Sequence, residues 1–418
     1  MDVKAVPKHQ QYTQGHIPEM PSSETFSQFP TRSRTIRLIS EGRGRTPRIE
    51  AFRFAPEFAK APSSFEFRFL VENRVYIYGF DVQGTRIVSE WLDLLRGDDE
   101  LSIFDRGADG QTRVNEGVFR HFANDPKIAG TLKNLSAVAL REDQLFLNRV
   151  SELPQGEQGG SLGGIIEWLT KSLAVLPADY RSPDILERLQ SDRDFFEFSK
   201  AFLQQVGTGI DSLGIVETEK EIDHSTTRMF AKADVQSPGT LQMNDFSDLR
   251  LKNDDSSRIL IRSLLALHRA NGDSFPLPFS QESDGTGALL HLMPVLSPPK
   301  GGNAVFVIDE LDRSLHPLIC REFIRLFSET CPNERRQLIV TTHEAHLLDQ
   351  ELLRRDEYWF VEKDAMHQSH LTSLSDFNIR NDLQIQKGYL QGRFGAIPII
   401  GSMDPMRRLL ASGESQEK

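Results

Sequence analysis

The sequence predicts an α/β fold: a parallel sheet joined to an antiparallel β subdomain and a helical insertion. Three observations point there. "AVFVI" (304–308) and "QLIV" (337–340) are short, continuous apolar runs separated by the amphipathic stretch "LICREFIRLF" after Pro317. Such runs suit strands buried on both faces, and strand–helix–strand is the crossover that joins parallel strands. "SFEFRFLVENRVYIYGFDV" (64–82) alternates through Phe65, Phe67 and Phe69, turns at Glu72-Asn73, and alternates again through Val75, Ile77 and Gly79. It reads as a β-hairpin with one buried face. "PDILERLQSDRDFFEFSKAFLQQVG" (183–207) spaces Ile185, Leu189, Phe196 and Phe202 for one amphipathic helix from Pro183 to Gly207.

The remaining elements follow in order. "RIVSEWLDLL" continues the hairpin, and "LSIFDRG" is a short strand and turn. "GEQGGSLGG" reads as flexible, and "ETEKEIDHSTTRMFAKADVQSPG" as a polar loop or exposed hairpin. "SRILIRSLLALHRANG" fits either a strand or a helix. Pro317 suits the first turn of a helix whose apolar face holds Leu318, Phe323, Leu326 and Phe327. "QLIV" reads as a second buried strand. The expected division is 1–48, a disordered or non-native segment; 49–154, a β-rich first part of the core; 155–250, the helical insertion; and 251–418, the rest of the core.

Composition narrows the function classes. The chain has 418 residues, 38% of them hydrophobic and 26% charged, with a net charge of −11. An acidic total argues against a whole-surface nucleic-acid binder, although "TRSRTIRLISEGRGRTPR" is locally basic. Two cysteines, Cys320 and Cys331, make neither a disulfide framework nor a metal cluster, which suggests a reducing cytoplasm. No apolar run approaches the roughly 20 residues of a membrane helix, so no membrane partner is expected.

The chemistry gathers after "AVFVI". Ligands in parallel sheets bind at the carboxyl ends of strands, and Asp309 sits there. Its carboxylate can hold Mg²⁺; Glu310, pointing elsewhere, can polarise a water for attack on a γ-phosphate. His343 falls at the carboxyl end of "QLIV", hence at the same edge, where it can donate to a γ-phosphate. His346, one helical turn on, is read as a bystander. Upstream, Ser283, Gly285, Thr286 and Gly287 form a small-residue turn before an apolar helix, where exposed N–H groups and hydroxyls can meet an anion.

The order "ESDGT", "VFVIDELDRSLHP" and "LIVTTH" resembles the ABC-type and SMC-like ATPases. With "QLIVTTHEAHLLD", "RRDEYWFVEKD" and "YLQGRFGAIP", it looks more narrowly like bacterial AAA-type ATP-binding proteins with an ABC-like core, a group that includes phage-defence ATPases. The resemblance covers about 258–400 strongly. It implies a P-loop NTPase-like fold of the ABC-ATPase type, with ATP and Mg²⁺ as ligands. It also implies a head-to-tail, ATP-bound dimer in which Ser283, Gly285 and Thr286 contact the partner's γ-phosphate. Asp309 would take the Walker B metal role, Glu310 the water-activating role and His343 the switch role. Asp312 would match the loop that touches the partner. The expected partner is a second copy or a complete ATPase subunit, with a nucleic acid or effector beyond it.

One part is missing from the pattern. No G-x-x-x-x-G-K-[ST] phosphate loop occurs. "GGSLGGIIEWLTKS" ends in Lys171-Ser172, but Thr170 stands where glycine is required. "EGRGRTPR" has two glycines and no lysine. Three readings stay open: a shifted frame or wrong start over 1–48, a degenerate subunit that pairs with a complete ATPase, or a relic in an interaction protein. "EKD" (362–364) is too slight for a nuclease site.

Overall fold

The Glu72-Asn73 turn sets the first sheet. Both residues have positive φ, 49° and 60°, as a two-residue type I′ turn requires. In the computed structural model, which describes residues 3–4, 49–54, 58–115, 117, 126–154, 160–221, 240–252, 255–297, 304–330, 335–378, 385–398 and 401–413, this turn joins two strands of a six-stranded antiparallel sheet. Its strands run in sequence order: β1 (Val3–Lys4), β2 (Ser63–Val71), β3 (Arg74–Gln83), β4 (Arg86–Arg96), β5 (Asp99–Arg106) and β6 (Thr112–Val114). The turn pairs Val71 with Arg74, so Phe69, Phe67 and Phe65 lie opposite Tyr76, Tyr78 and Phe80. Directly opposed residues share a face. The core face of β3 is therefore Tyr76, Tyr78, Phe80 and Val82, not the expected Val75, Ile77 and Gly79. Nor is one face only buried: Ile77 and Gly79 are buried on the reverse side.

Helices α1 (Pro126–Ser136), α2 (Phe146–Ser151) and α3 (Gly160–Glu167) follow. Glu90 of β4, fully buried, accepts Phe146 N–H at 2.6 Å and Leu147 N–H at 3.0 Å, so one carboxylate starts α2. "GGSLGG", expected to be flexible, lies in α3 from Gly160 onward. Leu162, Ile165 and Ile166 drive it into the core, where burial outweighs the helix cost of glycine. A π-helical turn (Trp168–Ser172) leads into β7 (Leu173–Leu176). Lys171 pairs with Glu167 at the surface, 3.0 Å away. The chain there runs helix to strand, the reverse of a phosphate loop.

The single helix expected over 183–207 is two: α4 (Ile185–Ser191) and α5 (Arg193–Gln205). Asp192 breaks it, with extended backbone angles and a side chain that accepts Phe195 N–H at 2.9 Å. An Asp cap competes with helix continuation in this way. "SRILIRSLLALHRANG" is a strand. β8 (Ile210–Glu221), β9 (Thr240–Asn244), β10 (Ser247–Lys252), β11 (Asp255–Ala270) and β12 (Asp273–Pro278) make a second antiparallel sheet around β11. The segment 155–250, expected to be helical, thus supplies strands to two sheets. Arg262, 1% exposed, ties this sheet to α4 through Asp248 and Glu187. Most of the polar stretch at 217–239 lies outside the described residues, as does nearly all of 1–48.

Then come α6 (Asp284–Leu296), β13 (Ala304–Ile308), α7 (Pro317–Glu329) and β14 (Arg336–Val340). β14, β13 and β7 form a three-stranded parallel sheet, in that order. Val305 and Val307 share one core with the first sheet and α3. α7 buries Cys320, Phe323 and Ile324, while Leu318, expected on that face, is 68% exposed. β14 is a strand as expected but only half-buried, with Ile339 38% exposed. It lies at the outer edge of the sheet among the described residues.

These elements belong to a unit running mainly from Ala61 to Glu344. A second unit comprises Phe52–Lys60 and the chain from Ala345. It holds the hairpin β15 (Trp359–Lys363) and β16 (Ser369–Ser373), then α8 (Ile385–Leu390) and α9 (Asp404–Gly413). Phe360, Tyr389 and Phe394 stack in its core, and Arg393 is exposed. Over the described residues the chain divides into these two compact units.

Candidate functional site

Parallel register places the acidic residues. Ile308 pairs with Val340, so Asp309 and Thr341 leave the sheet side by side. Asp309 N–H donates to Leu176 O at 2.9 Å, and Thr341 N–H to Ile308 O at 3.0 Å. The end of β13 is thereby held from both sides. The next residue, Glu310, has φ 51°. That left-handed conformation costs a non-glycine residue about 1–2 kcal/mol and turns the chain sharply off the strand. Leu311 and Leu315, both buried, pin the following turn into the core. Leu311 N–H donates to Thr341 O, Arg313 N–H to Glu310 O, and Leu315 N–H to Asp312 O.

Four predicted residues meet at this edge. Asp309 accepts the Thr341 hydroxyl at 2.6 Å. Asp312 accepts His343 N–H on both carboxylate oxygens at 3.3 Å. Glu310 and His343 are exposed, and Asp309 and Asp312 are half-buried. His316 caps α7, accepting Leu318 N–H at 3.2 Å, with Pro317 as its first residue. Thr341 is the residue that sequence reasoning missed. Its position becomes legible only once the β13–β14 register is known.

The small-residue turn comes to the same place. Ser283 caps α6: its Oγ accepts Thr286 N–H at 3.2 Å and lies 2.8 Å from Thr286 Oγ1. Gly285 packs against the turn after Glu310. A Cβ there would lie 2.4 Å from Ser314 O, so the two backbones meet where only glycine fits. Further along α6, buried His291 accepts Ser182 N–H through Nδ1 at 3.1 Å and stacks on Phe246. Burial holds its pKa down to about 4.

The arrangement suits a cation better than bare phosphate. Among the described residues, no three His, Cys, Asp or Glu side chains converge as a metal cage. Asp309 would therefore hold a cation with few protein ligands, as Mg²⁺ does when it arrives on phosphates. Asp309, Glu310 and Asp312 put three carboxylates within four residues of this turn.

Carboxylates stand at the carboxyl end of one parallel strand, with a crossover helix after them and His343 just past the end of the next strand, the edge where α/β folds gather ligand chemistry. A model of the AAA-domain family described as AbiEii toxin-like, of a type IV toxin–antitoxin system, matches residues 34–349. That is about three quarters of the chain, and the chain belongs to this family of AAA-type P-loop ATPases. A comparison with curated proteins gave no match. No helix among the described residues is long and apolar enough to cross a membrane.

Proposed function

We propose that this chain binds ATP and hydrolyses it with Mg²⁺, as one half of a dimer switched by the nucleotide. The supporting observation is the convergence of Asp309, Glu310, Asp312 and His343 at the carboxyl ends of two adjacent parallel strands. In this reading Asp309 holds the cation, which neutralises charge on the phosphates when bound. Glu310 accepts a proton from the attacking water, and His343 donates to the γ-phosphate. Ser283, Gly285 and Thr286 reach the nucleotide of the partner copy, and Asp312 braces the loop beside it. The proposal extends to a phage-defence role with a nucleic-acid or effector partner. That part rests on the family's toxin–antitoxin description and on no residue of this chain.

A second reading has its own support: the absent phosphate loop. Backbone N–H groups and a lysine normally neutralise the β- and γ-phosphates. A chain without them would serve as a non-catalytic subunit beside a complete ATPase. Glu310→Gln separates the two. In the first reading hydrolysis falls at least about 100-fold, while ATP and Mg²⁺ accumulate a stable dimer in light scattering. A wild-type chain that neither hydrolyses ATP nor dimerises with it, and a variant identical to it, would favour the second.

A further inference from the structure

The Thr341 hydroxyl lies between the two acidic residues at the end of β13. Its Oγ1 accepts Glu310 N–H at 2.9 Å and donates to Asp309 Oδ1 at 2.6 Å. The roles are fixed: an amide only donates, so the single hydroxyl hydrogen goes to the carboxylate. The residue itself is immobilised. Its N–H donates to Ile308 O at 3.0 Å and its carbonyl accepts Leu311 N–H at 3.1 Å. A β-branched side chain on so constrained a backbone has little rotamer freedom. One hydroxyl thus links the carboxylate before the sharp turn to the amide within it.

We infer that Thr341 is a positioning residue that orients Asp309 and Glu310 together, an inference that rests on the ATPase reading of those two carboxylates. The bond to Oδ1 fixes the Asp309 carboxylate plane and leaves Oδ2 as the oxygen a cation would meet. The bond from Glu310 N–H satisfies the amide of a residue in a left-handed conformation and holds its φ at 51°. The direction in which the Glu310 side chain leaves the strand is set by that φ. Outer-shell groups of this kind commonly govern metal affinity and activity about 10- to 100-fold.

The test uses Thr341→Val, which keeps shape and loses the hydroxyl, and Thr341→Ser, which keeps the hydroxyl. Mg²⁺-dependent ATP hydrolysis is measured on the full chain with whatever partner its activity requires. Thr341→Val should lower kcat about 10- to 100-fold and raise half-saturating Mg²⁺ about tenfold, with KM for ATP within about twofold at saturating Mg²⁺. Thr341→Ser should restore the Mg²⁺ dependence. Amide exchange of the 305–316 peptide should quicken in the valine variant alone. Unchanged Mg²⁺ dependence in Thr341→Val, where Asp309→Asn abolishes hydrolysis, overturns this inference and leaves the ATPase reading standing. Hydrolysis indifferent to Asp309→Asn, or absent from the wild type, overturns both.

Discussion

His291 shows how one buried ring couples stability to pH. Ser182 N–H occupies Nδ1, which puts the ring proton on Nε2, and the side chain is 1% exposed. Protonation would break the bond to Ser182 and bury a charge, so burial lowers the pKa from 6.5 to about 4. The nearby Asp245 carboxylate opposes that shift, and Arg181 adds to it. Between these values the unfolded chain binds the extra proton. The contribution is therefore complete above pH 6.5 and is lost as pH falls toward 4. From pH 7 to 5 the wild type should lose about 2 kcal/mol more stability than His291→Gln, read from urea midpoints. Equal losses would reject the role of this ring. Glu310 is the other instructive residue: it keeps a strained φ where glycine would be easier.

At the scale of elements, β3 and β4 illustrate a glycine chosen by its neighbour. A Cβ on Gly79 would lie 2.2 Å from the Trp91 ring and 2.8 Å from Phe65 O. The indole lies across the strand where a side chain would otherwise stand. Gly79→Ala should cost about 2–3 kcal/mol through overpacking, measured by chemical denaturation. A change within 0.5 kcal/mol would mean that the indole swings aside, since well-isolated surface changes have that size. Much was legible at this scale. β13, the start of α7 at Pro317, and the hairpin turn all fall where the sequence put them, because continuous apolar runs, an N1 proline and an Asn-containing turn are local signals. The core face of β3 was not, because it depends on pairing across the turn. Neither was the break at Asp192: its capping bond competes with a hydrophobic period that runs through it. β7 escaped notice since "LAVL" follows helix-like sequence and becomes a strand by pairing with β13.

For the molecule as a whole, Cys320 offers a probe of cooperative unfolding. It lies on the buried face of α7, and burial together with the charges of Asp312 and Glu344 pushes its thiol up to about 12. A thiolate is the reactive form. In a Cys331→Ser background, alkylation at pH 8 should be at least about 1,000-fold slower than for a free thiol and should track global unfolding in denaturant. Rapid labelling of the native protein would show that α7 opens by itself. The candidate site belongs to this scale as well. The positions of Asp309, Glu310 and His343 at one sheet edge were legible because a parallel strand ends where its apolar run ends. The sequence by itself determined the strand–helix–strand unit, the acidic pair and the small-residue cap. It also determined the absence of a phosphate-loop motif. Only the tertiary structure decided that Thr341 bridges Asp309 and Glu310, that Asp312 receives His343 N–H, and that Gly285 rests on Ser314. The reason is physical: apolar period and turn chemistry are local properties of a chain. Register between strands, and contact between turns some 30 residues apart (Gly285 and Ser314), exist only after the sheet has closed.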